Sequence, residues 1–198
     1  MVFFIKNKHK QKLMKGFTLV EMVTAVAIFS MVMVIAMGAL LAVLNANKQN
    51  QAIQTAVNNL NLAMEMMSRE IRVGYTYHCG EGGVITETRN CKLDGKSYIA
   101  FEPFDGDSDA GNDQVIFKLE SNRIQRSDNS GTNFLYLTAK NVFIERLTFY
   151  VAGTDITDNI QPRVLVSLGG HVDLGSIGER GRSYFNLQTT ISQRLIDF

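Results

Sequence analysis

No acidic residue occurs in the first 16 positions, and no charge of either sign occurs between Met22 and Leu44. Cysteine is scarce: Cys79 and Cys91 are the only two, and both lie beyond that uncharged run. Two cysteines exclude a multi-bridge disulfide framework but permit a single bridge in an oxidising compartment. No CxxC pair is present, which removes the most recognisable half of a structural zinc site. A nucleophile elbow and a phosphate-binding glycine loop are also missing. The chain therefore reads as a non-enzyme, because no spacing of Ser, His, Asp or Gly carries a catalytic pattern.

What is present is unevenly spread. Lys6, Lys8, Lys10, Lys12 and Lys15 fall within the first 16 residues. Setting those five lysines aside leaves fifteen basic residues against nineteen acids, a net charge of about −4 on the remainder. An acidic body gives no general attraction to nucleic acid, so no direct nucleic-acid binding is expected. The stretch MVTAVAIFSMVMVIAMGALLAVL, Met22 to Leu44, is 23 residues long. A helix needs roughly 20 apolar residues to cross a bilayer core, whereas a secretory signal core has roughly 7 to 15. No small-residue cleavage site closes the run; it continues into Asn45, Ala46 and Asn47. Lysines on one side alone predict that the N-terminus stays cytoplasmic and that the rest lies outside. A lone acid, Glu21, stands among Phe17, Leu19, Val20 and Met22. An ionisable group at such a place is costly unless it snorkels to the headgroups or finds a partner.

The run Lys15-Gly16-Phe17-Thr18-Leu19-Val20-Glu21 resembles the type IV prepilin processing motif. The resemblance implies cleavage after Gly16 by a dedicated membrane peptidase, which also N-methylates the new terminal Phe17. It implies that Glu21, at mature position five, acts in assembly. The partners so implied are the prepilin peptidase/N-methyltransferase, other pilin or pseudopilin subunits, and an inner-membrane assembly platform. The expected location is the bacterial inner membrane, single pass, before entry into a filament.

Beyond the membrane run, Ile53, Val57, Leu60, Met64, Met67 and Ile71 recur at steps of four and three. This is an amphipathic helical stripe, with Gln54, Asn58, Asn61, Glu65, Ser68 and Arg72 opposite. Gly74 ends the pattern as a C-terminal breaker. One helix is predicted from Phe17 to about Arg72. Gly38 interrupts its apolar half, either as a place to loosen or as a close-packing contact. After Gly74, strand-forming runs alternate with turn clusters. The expected strands are Tyr98–Glu102, Gln114–Leu119, Phe134–Thr138, Val142–Val151, Arg163–Leu168 and Tyr184–Ile191, with a tight hairpin turn at Glu120-Ser121-Asn122-Arg123. Gly169-Gly170, Gly175, Gly178 and Gly181 read as turns. The predicted class is α+β. The pilin fold implied by the resemblance is a long N-terminal helix packed on a mainly antiparallel sheet. The predicted organisation is a removed leader, 1–16; a membrane half of the helix, 17–44; an amphipathic half, 45–73; and a β-rich extracytoplasmic domain, 74–198. The segments MEMMSREIRVG, VLVSL and SYFNLQTTISQR resemble J-type minor pseudopilins of type II secretion and W-type minor pilins.

Two further clusters invite a metal reading. Asp105, Asp107, Asp109 and Asp113 alternate as a calcium loop begins. However, Ala110 and Ile116 stand where an EF-hand needs glycine and glutamate, so a solvated acidic loop is the competing reading. Some pseudopilins use calcium in their globular domains. No other cofactor is expected. His78, Cys79, Cys91 and His171 could form a zinc site, but adjacent His and Cys rarely both reach one metal. A Cys79–Cys91 disulfide stapling the segment after the helix is the expectation. Functionally, a filament subunit of the minor class competes with a membrane-anchored binding module or enzyme whose helix is only a tether.

Overall fold

A computed structural model describes residues 16–107, 110–155, 160–174 and 181–194. Residues 1–15 of the leader, Lys15 included, lie outside it, as do Asp109 of the acidic loop and the glycines Gly175 and Gly178. The chain divides into two compact units, Met1–Asn47 and Lys48–Phe198. Helix α1, Leu19–Val73, contributes to both.

In the first unit the described residues carry the apolar start of α1, and all of them are exposed. Thr18 caps the helix: the Glu21 amide donates to Thr18 Oγ1 at 3.3 Å, and the Met22 amide to Thr18 O at 3.2 Å. A Thr followed three residues later by Glu is the spacing of a capping box. The hydroxyls inside the apolar run are satisfied by the helix itself. Thr24 Oγ1 donates to Glu21 O at 3.0 Å, and Ser30 Oγ to Val26 O at 2.8 Å. That arrangement lets polar side chains sit in a low-dielectric setting. The helix passes Gly38 unbroken, and a Cβ there would meet nothing within 4 Å.

In the second unit α1 buries Ala56, Leu60, Ala63, Met67 and Ile71. This corrects the stripe read from the sequence at its outer turns. Val57 is exposed, Ile53 and Met64 are half-buried, and Ala56 and Ala63 take the inward positions.

The remaining chain forms two antiparallel meanders where one sheet was expected. The first contains β1 (Tyr75–Cys79), β2 (Tyr98–Glu102), β3 (Val115–Glu120), β4 (Arg123–Ser127) and β5 (Leu135–Tyr136), in that order. The second contains β6 (Val142–Ala152), β7 (Arg163–Asp173) and β8 (Arg182–Ser192). The ladder breaks because β5 is only two residues long and β6 pairs along its length with β7 instead. The sheets still touch. Lys96 and Phe149 exchange backbone bonds of 2.9 and 2.7 Å, and the Ile144 amide donates to Asn122 O at 2.9 Å. The β3–β4 hairpin turns on Ser121 and Asn122, at φ 52° and 57°. Two consecutive left-handed residues make the turn whose twist matches antiparallel strands. Gly169 and Gly170, read as a turn, lie inside β7. There β6 bulges between Ile144 and Arg146, and a Cβ on Gly170 would collide with Phe143 O.

The core joins the helix face to both sheets through Met67, Ile71, Phe101, Phe117, Phe149 and Leu168, among others. Each large apolar side chain so buried contributes on the order of 1.5–3 kcal/mol. The end of α1 is fixed by polar contacts. Tyr77, on β1, is 1% exposed, and its hydroxyl lies 2.6 Å from Ile71 O and 2.7 Å from Gly74 O. A helix leaves its last four carbonyls without intrahelical partners, so this phenol serves as a cap. The Arg194 amide donates to Arg72 O at 2.7 Å. Gly74 is glycine for a different reason from the one its position suggests. Its φ is not left-handed, but an added Cβ would run into the Phe101 ring.

Tyr77→Phe removes the hydroxyl that contacts the helix end while keeping the ring. Buried carbonyls left without their donor should lower unfolding free energy by about 1–3 kcal/mol. Urea titration of the detergent-solubilised protein should show an earlier midpoint with an unchanged slope; an unchanged midpoint would show that the phenol does not hold the helix end.

Candidate functional site: the N-terminal segment and the disulfide

Gly16, Phe17 and Thr18 precede the helix in non-helical backbone, and Phe17 is 77% exposed. A Cβ at Gly16 would meet nothing within 4 Å. Among the described residues, nothing in this chain requires glycine there, unlike Gly74 or Gly170. Glu21 sits in the first turn, where an acid is favoured by the helix dipole by about 0.3–1 kcal/mol. Its carboxylate is exposed and forms no ion pair among the described residues. The large side chains from Leu19 to Leu44 are likewise uncovered. The segment therefore offers an accessible Gly-Phe bond, an unpaired carboxylate one turn further on, and an apolar surface.

The profile of the prokaryotic N-terminal methylation motif matches residues 12–37. This segment carries a prepilin-type processing motif. The match takes in Lys15, Gly16, Phe17 and Glu21, and it ends before the folded domain begins. No curated protein and no solved structure matches the chain. The match makes this segment similar to the N-termini of pilin-like proteins, and the helix that follows it is consistent with membrane anchoring. The helix is long and apolar enough to cross a bilayer.

Within the folded unit, Cys79 closes β1 and is bonded to Cys91, with Cα atoms 5.9 Å apart. The bridge lies against β6, where the Val151 amide donates to Cys91 Sγ at 3.3 Å and to it alone of the two sulfurs. Cys91's own amide donates to Val151 O at 3.0 Å. The disulfide thus clips the 80–90 segment to the second sheet. His78 is buried beside it, with Nδ1 2.8 Å from Glu87 O and Nε2 3.0 Å from Gly82 O. His171 lies elsewhere, 2.7 Å from Glu145 and between the Phe143 and Tyr184 rings. The four candidate zinc ligands are therefore not brought together: two are spent on each other, and the histidines have separate partners.

The acidic loop joins β2 to β3. Asp105 and Asp107 are exposed, while Asp113 turns inward, its Oδ2 accepting from the Asp107 amide at 2.9 Å. Among the described residues, no three His, Cys, Asp or Glu side chains converge on a metal position. Reading the sequence missed a residue here. Glu102, at the end of β2, is 2% exposed and faces the same loop. Its strand position gave no signal, because burial comes from the loop folding back.

Closing a loop with a sequence separation of 12 constrains the unfolded chain, and the expected contribution is roughly 3 kcal/mol. Peptide mapping without reductant, on protein exported by its own host, should link Cys79 to Cys91. Recovery of two free thiols would contradict the bridge.

Proposed function

We propose that the chain is a structural subunit, of the minor class, in a type IV pilus-like or type II secretion pseudopilus filament. The peptidase cuts after Gly16 and methylates Phe17. The leader stays cytoplasmic, the helix crosses the inner membrane once, and residues 74–198 lie outside, where an oxidising environment maintains the disulfide. The observation that carries this reading is the methylation motif set directly on a helix whose apolar half is exposed along its whole length among the described residues. Such a surface needs other apolar partners, first lipid and then neighbouring helices. Subunits joined head to tail through one heterologous contact build an open helical fibre. The large loop-rich domain and its likeness to J-type and W-type subunits favour a minor position.

Glu21 has a specific part in this scheme. Cleavage creates an amine at Phe17, one helical turn away, and methylation leaves that amine charged. Either charge alone is costly once the helix enters an apolar bundle. The Glu21 carboxylate of an incoming subunit would pair with the Phe17 amine of the subunit already in place. The pairing would offset desolvation and set axial register. A tether for an enzyme or binding module needs neither the glycine nor the unpaired acid.

The capping contact uses the backbone of residue 21, so the helix start should survive its side-chain change. Glu21→Ala should be cleaved normally, remain in the membrane and fail to enter filaments efficiently; Glu21→Asp should be intermediate, because its reach is shorter. Fractionation with N-terminal mass measurement on the same samples reads both steps. Wild-type incorporation of a correctly cleaved Glu21→Ala protein would remove the assembly role and leave only a snorkelling acid.

A further inference from the structure

The outer face of the second sheet carries a small polar pit beside an exposed aromatic ring. Along β7, Val164, Val166, Leu168 and Val172 join the core, so Gly169 and His171 fall on the opposite face. The bulge in β6 between Ile144 and Arg146 leaves two consecutive residues, Glu145 and Arg146, exposed. Bulges re-aim side chains in this way. On β8, Asn186 lies opposite Gly169, and Tyr184 opposite His171. Arg146 Nη2 donates to Asn186 Oδ1 at 3.1 Å, and the two side chains meet over the bare backbone of Gly169.

The backbone does not demand glycine at 169. Its φ is not left-handed, and a Cβ would meet only the ends of two side chains, Asn186 Oδ1 at 2.7 Å and Arg146 Nη2 at 3.2 Å. Gly170 differs, because its Cβ would strike the backbone of Phe143. What Gly169 provides is a pit of about 80 Å³, walled by Glu145, Arg146, Tyr184 and Asn186. These walls are held from behind by His171, which is 8% exposed. Its Nδ1 lies 2.7 Å from Glu145 Oε1, and its ring stacks on Phe143 with centroids 5.1 Å apart. The Tyr184 ring leans on the same imidazole at 5.6 Å, yet Tyr184 stays 60% exposed.

The chemistry of the walls selects a ligand. Glu145 and Arg146 stand side by side with opposite charges, which favours a neutral group over an ion. Pockets that enclose a whole small molecule run to roughly 300–1,000 Å³, so a pit of about 80 Å³ takes one polar substituent and leaves the rest of the ligand above it. Among the described residues Arg146 has no ion pair, and Asn186 keeps its Nδ2 protons unspent. Sugar hydroxyls both donate and accept, which matches two donors beside a carboxylate. The C–H face of a sugar ring matches an exposed phenol ring. An extended peptide would instead find backbone partners along β8, the outer strand of this sheet.

We propose that this pit is a saccharide subsite: a hydroxyl or hydroxymethyl group of a neutral sugar enters over Gly169, and the sugar ring lies on Tyr184. The site belongs wholly to the folded unit, so it stands apart from processing and assembly.

The test is saturation-transfer difference NMR on the full chain, held in a detergent that carries no sugar headgroup. The probes are the methyl glycosides of glucose, galactose and mannose at millimolar concentration. At least one should receive saturation, concentrated on one face of its ring. Y184F keeps the ring and should keep the signal. Y184A should weaken binding by about tenfold, the loss of an aromatic platform. G169A puts a methyl group where Arg146 and Asn186 meet and should weaken it as well. Circular dichroism identifies the folded variants, and either one suffices. Absence of transfer to every glycoside would overturn the proposal, and so would undiminished transfer in folded Y184A or G169A. Binding confined to methyl glucuronide and weakened by salt would overturn it in favour of an anion at Arg146.

Discussion

The handover from helix to sheet at residues 70–77 is the constraint on which the folded unit depends. Tyr77 places its hydroxyl against Ile71 O in the last turn of α1 and Gly74 O just beyond it, and the Arg194 amide takes Arg72 O. Gly74 gives up its side chain so that the Phe101 ring can fill the corner. Arg126 of β4 reaches across to Glu70 at 2.9 Å and to Asp128 at 3.1 Å. Burial works against the Arg126 charge, but the two acids outweigh it. A bulge in β1, with Thr76 at φ 52°, lets Tyr77, His78 and Cys79 all be buried in succession. The disulfide then begins at the last of these three residues. One short stretch therefore ends the helix, starts the first sheet and anchors the clip to the second.

The first unit follows opposite rules. Among its described residues, the hydroxyls inside the helix are satisfied by the helix, the glycines meet no neighbour, and the apolar side chains are uncovered. Among the described residues, nothing accounts for Gly16 or pairs with Glu21. The proposed function assigns both to external partners: a peptidase that would cut an accessible Gly-Phe bond, and a neighbouring subunit that would supply a cation. The division of labour matches the proposed role, with a folded domain built to be self-sufficient and a helix start built to be completed by others.

Much of this was legible in the residues. An uncharged run of the right length and a period of three and four give the helix. Alternating β-branched and aromatic runs give β2, β3, β6, β7 and β8. The failures have physical reasons. Ala56 and Ala63 carry too little hydrophobic signal to phase the stripe, yet they are the inward residues. β4, RIQRS, reads as polar because Gln125 is buried without an apolar side chain and Arg126 finds its partner, Glu70, far along the chain. β1 was hidden by its bulge. Glu102 was passed over because a lone acid at a strand end gains meaning only once Gln114 folds back onto it.

The central claim is that the chain is made as a precursor and works as a processed subunit. The most direct measurement is the intact mass of the protein extracted from membranes of its own host. The account predicts loss of residues 1–16 and one added methyl group on the Phe17 amine, with the unprocessed mass retained when Gly16 is replaced by a bulky residue. A mature protein that still begins at Met1, or one of unchanged size when Gly16 is replaced, would contradict it.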